Sequence, residues 1–396
     1  MSNTAAQPVD IQLVVSVDDH LVEPFGIFAG RLPQRFADAA PTVADSGGRQ
    51  AWVFAGKEIA GVALNAVAGL DAEHWRIEPE RLDDVRRGCW DVHARVADMD
   101  TDGVWASLNF PSSLPGFCGA RFWEPGDIEL ATALTRAWNS WHLEEWAGAY
   151  PDRLIPLQLS LLGDPVAAAA EIRANSERGF RAVSFCEDPS KHGLPSVASG
   201  EWDPFLAACE ETQTVICLHV GSSGPTSTPP PPPGTPTLEF RASLFTVSAL
   251  VATVGWLWSG ALYRFPRLQI AMSEGGIGWV PMLLDRLDYI AHHALRGSAV
   301  WPDRELSPSD VIRRNFWFCT LDDPSTFPLR DRIGVDRIMV EVDYPHSDST
   351  WPDTRASLAR MLRGCSPDEV ARMTHANAAE LYRHPLPANL TEGSSA

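Results

Sequence analysis

The sequence predicts an α/β chain closed into a (β/α)8 TIM barrel with an insertion between its first two strands. Short apolar runs rich in β-branched residues recur eight times, and helical patterns with apolar spacing of three and four lie between them. All eight fit in about 330 residues, the length of a barrel with one insertion. Strands that alternate with helices imply parallel βα units, and eight of them favour closure over an open doubly wound sheet.

The first strand, Leu13 to Val17, grows out of Ile11-Gln12-Leu13-Val14-Val15. Val104 to Phe110 reads as the second, Leu154 to Leu159 as the third, Phe180 to Phe185 as the fourth and Thr214 to Leu218 as the fifth. Leu268 to Met272, Phe316 to Cys319 and Arg337 to Val342 complete the set. Apolar periodicity predicts helices over Ile128–Ala149, Pro165–Arg178, Phe205–Thr212, Ala242–Tyr263, Val280–Leu295 and Ser366–Tyr382. Residues 25–100 are longer than one crossover needs, so they read as an insertion, with a hairpin over Ala51–Ile59. Residues 221–239 hold five consecutive prolines, which favour an extended path over one barrel mouth. Residues 11–385 read as one domain and 386–396 as a flexible tail.

Composition narrows the function. The chain has 396 residues and a formal charge of −19, without a cluster of Lys or Arg, so nucleic acid is excluded as a partner. Seven scattered cysteines without a C-x-x-C pair read as free thiols in a reducing cytosol. The N-terminal residues lack a signal-peptide pattern and no apolar run spans a bilayer, so the expectation is a cytoplasmic enzyme with no membrane partner.

The functional face of a parallel barrel lies at the C-terminal ends of its strands. The first strand ends in Asp18-Asp19-His20, the fifth in His219, the sixth in Ser273-Glu274 and the eighth in Asp343-Tyr344-Pro345-His346. Side chains alternate along a strand, so Asp18 and His20 share a face and Asp19 takes the other. With His219 and Asp343 they make two nitrogen and two oxygen donors, a set suited to one divalent ion, Zn2+ or Mn2+.

The motifs SVDDHLVEP (16–24), MDTDGVWASLNFPS (99–112), YPDRLIPLQLSLLGDP (150–165), LHVG (218–221), FPRLQIAMSEGGIGWVPMLLDRLD (265–288) and IMVEVDYPHSDSTWPDT (338–354) resemble the amidohydrolase superfamily. Their branch is that of aminocarboxymuconate semialdehyde decarboxylase and the non-oxidative aromatic acid decarboxylases. The resemblance implies a (β/α)8 barrel with a single divalent metal on Asp18, His20, His219 and Asp343, the same four donors. It also implies that Asp343 carries a proton, taken from water in hydrolases or given to carbon in decarboxylases. Homodimers or homotetramers are common in the family.

One position departs from that pattern. Decarboxylases of the branch carry a catalytic His three residues before the Glu that matches Glu274, and this chain has Ala271 there. Alanine transfers no proton. His346 is the preferred replacement, ahead of His292 and His293, which read as a solvated pair. Arg121 and Arg241 are candidates for gripping a substrate carboxylate, and Glu23 for a hydrogen bond to substrate or a cap. Because of Ala271 the sequence leans to metal-dependent hydrolysis of an amide, ester or ring bond in a small aromatic or cyclic substrate. Non-oxidative decarboxylation of an aromatic or unsaturated acid is the alternative.

Overall fold

A computed structural model describes residues 9–75, 79–224, 229–293, 301–303 and 305–388. Residues 389–396 of the expected tail, 294–295 of the expected helix and 225–228 of the proline segment lie outside the described residues.

Twelve strands are seen among the described residues: β1 Val14–His20, β2 Thr42–Ser46, β3 Arg49–Phe54, β4 Lys57–Gly61, β5 Val104–Phe110, β6 Leu154–Ile155, β7 Leu157–Leu159, β8 Ala182–Phe185, β9 Val215–His219, β10 Ile270–Ser273, β11 Phe316–Thr320 and β12 Ile338–Val340. β1, β5 and β6 pair in parallel in that order, and β12-β11-β10-β9-β8-β7 form a second parallel arc. The arcs belong to one barrel. β6 and β7 are the expected third strand, interrupted at Pro156, which has no N–H for the ladder.

The other seam, between β12 and β1, closes through bonds at the mouth. Asp343 N donates to Asp18 O at 2.9 Å, His20 N to Tyr344 O at 2.7 Å and Val342 N to the Ser16 hydroxyl at 2.9 Å. The barrel's closure therefore runs through the residues expected at the site.

The interior is filled by Val15, Val17, Ala106, Leu108, Ile155, Leu157, Ala182, Val215, Cys217, Ala271, Cys319 and Met339, with Leu381 and Tyr382 of the last helix packed against them. The helix Pro165–Arg178 matches its expected range, with Asp164 capping it and Gly179 ending it in the left-handed region. Ile128–Ala149 is not one α-helix: it is α-helical to Trp141 and then passes through a π turn, His142–Trp146. Ser366–Tyr382 is broken in the same way by a π turn at Arg372–Ala376. Ala242–Tyr263 is not one helix: Phe245–Trp258 and Ala261–Arg264 occupy it, and Ala242 ends a separate helix, Thr237–Ala242.

The expected hairpin in the insertion is a three-stranded antiparallel sheet, β2-β3-β4. Phe54 and Phe28 both meet Phe122 edge-on, which ties the insertion to the loop after β5. Val67 N and Ala68 N both donate to Pro345 O, which ties it to the loop after β12. The insertion thus covers the C-terminal mouth. No helix among the described residues is long and apolar enough to cross a membrane.

Candidate active site

The site starts with an irregularity in β1. Ser16 pairs with Ser107 but Asp19 pairs with Asn109, so β1 carries one residue more than β5 across this interval. Such a bulge re-aims side chains. Val15 and Val17 pack in the barrel interior, and past the bulge Asp18 and His20 also face inward, where they meet His219 and Asp343. Asp19 faces outward, as alternation predicts. It is nonetheless buried, and accepts hydrogen bonds from the Ser16 and Ser107 hydroxyls and from Tyr344 N. It ties β1 to β5 and to the turn after β12.

The structure brings Asp18, His20, His219 and Asp343 together. His20 Nε2 lies 3.6 Å from Asp18 Oδ1 and 3.6 Å from Asp343 Oδ1, and His219 Nε2 lies 3.5 Å from Asp18 Oδ2. The imidazoles fix their own tautomers. His20 Nδ1 sits 3.3 Å from Pro111 O and His219 Nδ1 2.7 Å from Val220 O, and a carbonyl only accepts, so each Nδ1 carries the hydrogen. In the neutral rings both Nε2 atoms then present lone pairs, and these face each other at 3.0 Å. Backbone-anchored imidazoles of this kind are typical of metal-ligating histidines.

Burial holds both rings neutral: it lowers the pKa of His20 well below its usual value and that of His219 to about 3. Burial raises the pKa of Asp18, as do the charges of Glu341 and Glu274; burial and then Glu274 and Asp348 do the same for Asp343. Both oxygens of Asp18 and both of Asp343 are buried without a hydrogen-bond partner. Four orphaned carboxylate oxygens facing two lone pairs form a site that a cation satisfies.

Glu274 and Asp343 have φ of +55° and +57°, a region costly for residues other than glycine. That geometry brings Glu274 Oε2 within 3.6 Å of His219 Nε2. Glu341, which follows β12, accepts a hydrogen bond from Glu274 N at 3.0 Å and so holds the strained turn. Sequence reasoning missed Glu341, and the odd placement of a carboxylate in an apolar strand was its only signal.

Ala271 lies inside the barrel, and His346 supplies an imidazole at the mouth from a different strand. Its Nδ1 is 2.9 Å from Asp343 Oδ1, and its ring stacks on His20 with centroids 4.0 Å apart. Burial lowers its pKa to about 4. Asp348, which the sequence suggests is a turn residue, offers an oxygen within 4.8 Å of the ligating atoms of Glu274, Asp343 and His346.

A cavity of about 240 Å3 opens beside these residues, lined by Phe117, Cys118, Arg121, Glu124, His192 and Ser112 among others. Phe117 packs on His219 at 4.2 Å and on His20 at 5.0 Å, between cavity and imidazoles. Arg121 lines the cavity and donates to Ser113 O. Arg241 lies in the helix Thr237–Ala242, where its carbonyl accepts from Leu244 N, and its guanidinium has no hydrogen bond or ion pair with any described residue, so the structure does not bring it to the cluster. Glu23 is buried and accepts from Ser112 N at 3.1 Å and Trp138 Nε1 at 3.4 Å; its reach ends at the loop that lines the cavity. His292 and His293 are exposed and bond carbonyls one turn back in their own helix, away from the cluster.

The model of the Amidohydrolase family matches residues 52–384. A crystal structure of an amidohydrolase from Mycobacterium avium subsp. paratuberculosis K-10 is 23% identical with a TM-score of 0.71, over 93% of this chain and 98% of that one. The 5-carboxyvanillate decarboxylase of Sphingomonas paucimobilis is 20% identical with a TM-score of 0.63, over 94% of this chain and 100% of that one. A dihydroxybenzoic acid decarboxylase of Polaromonas sp. JS666, solved with manganese and the inhibitor 2-nitroresorcinol, is 17% identical with a TM-score of 0.61, over 96% and 98%. At these identities the likenesses speak for the barrel fold. The family match extends from the insertion to the last helix, and on that extent the chain belongs to the amidohydrolase family.

Proposed function

We propose that the protein is a metal-dependent, non-oxidative decarboxylase of an aromatic carboxylic acid. Asp18, His20, His219 and Asp343 hold one divalent ion, Mn2+ or Zn2+, and the pair Asp343–His346 moves the proton. The observation that carries this reading is His346, whose Nδ1 stands 2.9 Å from Asp343 Oδ1. The hydrolytic lean of the sequence rests on the missing imidazole at Ala271, and His346 removes its reason. The solved relatives that act on 5-carboxyvanillate and 2,6-dihydroxybenzoate support the same choice, and the manganese in the Polaromonas structure supports the metal.

The donors fit a divalent ion because the oxygens of Asp18 and Asp343 are orphaned and both Nε2 lone pairs point inward. Such an ion supplies Lewis-acid polarisation of a substrate oxygen. The protein's own groups do the rest. Loss of CO2 leaves an electron pair on ring carbon that must receive a proton, and Asp343 or His346 is placed to deliver it. Arg121 is the group on the cavity wall suited to a carboxylate, and Phe117 and Phe110 pack on His219 and keep water from it. Val220 O orients His219, and Glu341 holds the turn that sets the Glu274 carboxylate beside it.

The test is to load the full chain with Mn2+ or Zn2+ and offer a panel of hydroxylated and methoxylated benzoic acids, following CO2 and the decarboxylated ring. Esters, lactones and cyclic amides are followed in parallel. CO2 release from a benzoic acid supports the reading. Hydrolysis without CO2 from any acid would overturn it in favour of the hydrolase.

A further inference from the structure

A second cluster lies on the cavity wall, outside the four-donor set. Cys118 follows Phe117 in the loop after β5, Cys186 follows β8, and His192 ends the short turn Pro189–His192. Their ligating atoms all lie within 4.8 Å of one another, and the two sulfurs are 3.3 Å apart. His192 Nε2 is 2.8 Å from Ser222 O, which holds the ring beside Cys118.

We propose that Cys118 and Cys186 are an oxidisable dithiol that a small peroxide closes into a disulfide, with His192 as the base for Cys118. The other five cysteines are placed differently. Cys89, Cys209, Cys217 and Cys319 are buried and Cys365 half-buried, and burial raises the pKa of each. In the pair the two thiols split: the hydrogen bond between them, with His192 beside it, lowers Cys118 to about 6, and the same hydrogen bond with burial raises Cys186. A low-pKa thiol with a partner sulfur in contact is the usual form of a redox-active pair. Access comes from the cavity, which Cys118 and His192 both line and which at about 240 Å3 admits a molecule as small as hydrogen peroxide.

Cys118 gives its proton to His192, and its sulfur attacks one peroxide oxygen. The O–O bond breaks, leaving a sulfenic acid on Cys118 and hydroxide, which takes the proton from His192 to leave as water. The Cys186 sulfur then attacks the Cys118 sulfur; the S–S bond forms, the S–O bond breaks, and the hydroxyl leaves as water with the Cys186 proton. Two thiols lose two electrons and one peroxide gains them. Because Phe117 precedes Cys118 and packs on His20 and His219, closing the bond acts on the residue that covers the imidazoles.

The proposal needs no metal and does not rest on the decarboxylase reading. Its test treats the full chain with hydrogen peroxide, blocks remaining thiols by alkylation and maps peptides by mass without reduction. The expected result is one linked pair of peptides carrying Cys118 and Cys186, a loss of two hydrogens, and reversal by dithiothreitol. Cys118→Ser and Cys186→Ser should each abolish the link, and His192→Gln should slow its formation about tenfold at neutral pH, as the thiolate fraction falls. Alkylation of all seven cysteines after peroxide, or Cys118 driven to sulfinic acid without a link, would overturn the proposal. So would a metal ion that co-purifies with the wild type and with Asp18→Asn but is lost from both serine variants.

Discussion

Two layers of one barrel interior share the same near-zero exposure and differ in how their side chains are satisfied. Leu108, Ile155, Val215 and Met339 in the lower layer are packed against one another and leave no polar group in need. Asp18, His20, His219 and Asp343 in the upper layer are as deeply buried, yet among the described residues their four carboxylate oxygens make no hydrogen bond and their two imidazole Nε2 lone pairs face one another. Burial stabilises the first layer at roughly 25 cal/mol per Å2 of apolar surface. It costs free energy in the second, where a buried unpaired polar group is expensive. One end of the interior is held by side-chain packing; the other is closed by backbone bonds and leaves its side-chain donors unsatisfied.

The sharpest way to break that division is Asp343→Asn. It keeps shape and removes a proton carrier, so turnover should fall about 10²- to 10⁴-fold with the fold intact. Steady-state rates with the acid identified by CO2 release, beside a circular dichroism spectrum, check it. Retained turnover would move the proton transfer to His346 alone.

The converse substitution is Leu108→Ala in the lower layer. A fully buried leucine shortened to alanine costs about 2–5 kcal/mol, read from urea denaturation, while the turnover of the folded fraction should hold. A selective loss of activity would mean that the two layers are coupled.

The layers should also part company with pH. Burial and crowding raise the carboxyl pKa values of Asp18, Asp343 and Glu274, and that of Glu341 rises to about 8. Unfolded, these groups lose their protons near pH 4; folded, they keep them longer. Between those values the native state binds more protons, so metal-free stability falls as pH rises from about 4 towards 8. A divalent ion should flatten that slope, and its affinity should rise over the same range because ion and protons compete. Melting temperatures across pH with Mn2+ and with a chelator measure both. A slope that persists unchanged with the ion bound would place the crowded carboxylates outside the metal's reach.

The lower layer and the strand-end donors are legible in the sequence for one reason: β-branched runs and the polar residues that interrupt them are local patterns. Asp18, His20, His219 and Asp343 each stand at the end of such a run. What the sequence hides depends on backbone geometry. The β1 bulge is invisible in SVDDHLVEP because only pairing with β5 reveals the extra residue. The residues that take the left-handed conformation, Glu274 and Asp343, are not glycines, so residue type does not mark them. Arg241 stands close in sequence to the proline loop, but proximity along a chain says little about where a guanidinium ends. The sulfur pair comes from residues 68 positions apart, a contact no local pattern encodes.

Glu23 gives the smallest effect and the finest test. It belongs to neither layer: it is fully buried, one oxygen accepts from Ser112 N and Trp138 Nε1, and the other has no partner. Burial raises its pKa from 4.5 to about 7. A raised carboxyl pKa leaves stability intact below the unfolded value and lowers it as pH climbs towards the folded one. Glu23→Gln keeps the accepting oxygen and removes the charge. The two proteins should therefore be equally stable near pH 4, with the glutamine form ahead by about 1–3 kcal/mol above pH 7. Paired urea titrations at the two pH values read the difference. If the glutamine form is less stable at pH 8, the orphan oxygen is satisfied as a carboxylate. Glu23 would then belong with Asp18 and Asp343 among the groups that wait for a ligand.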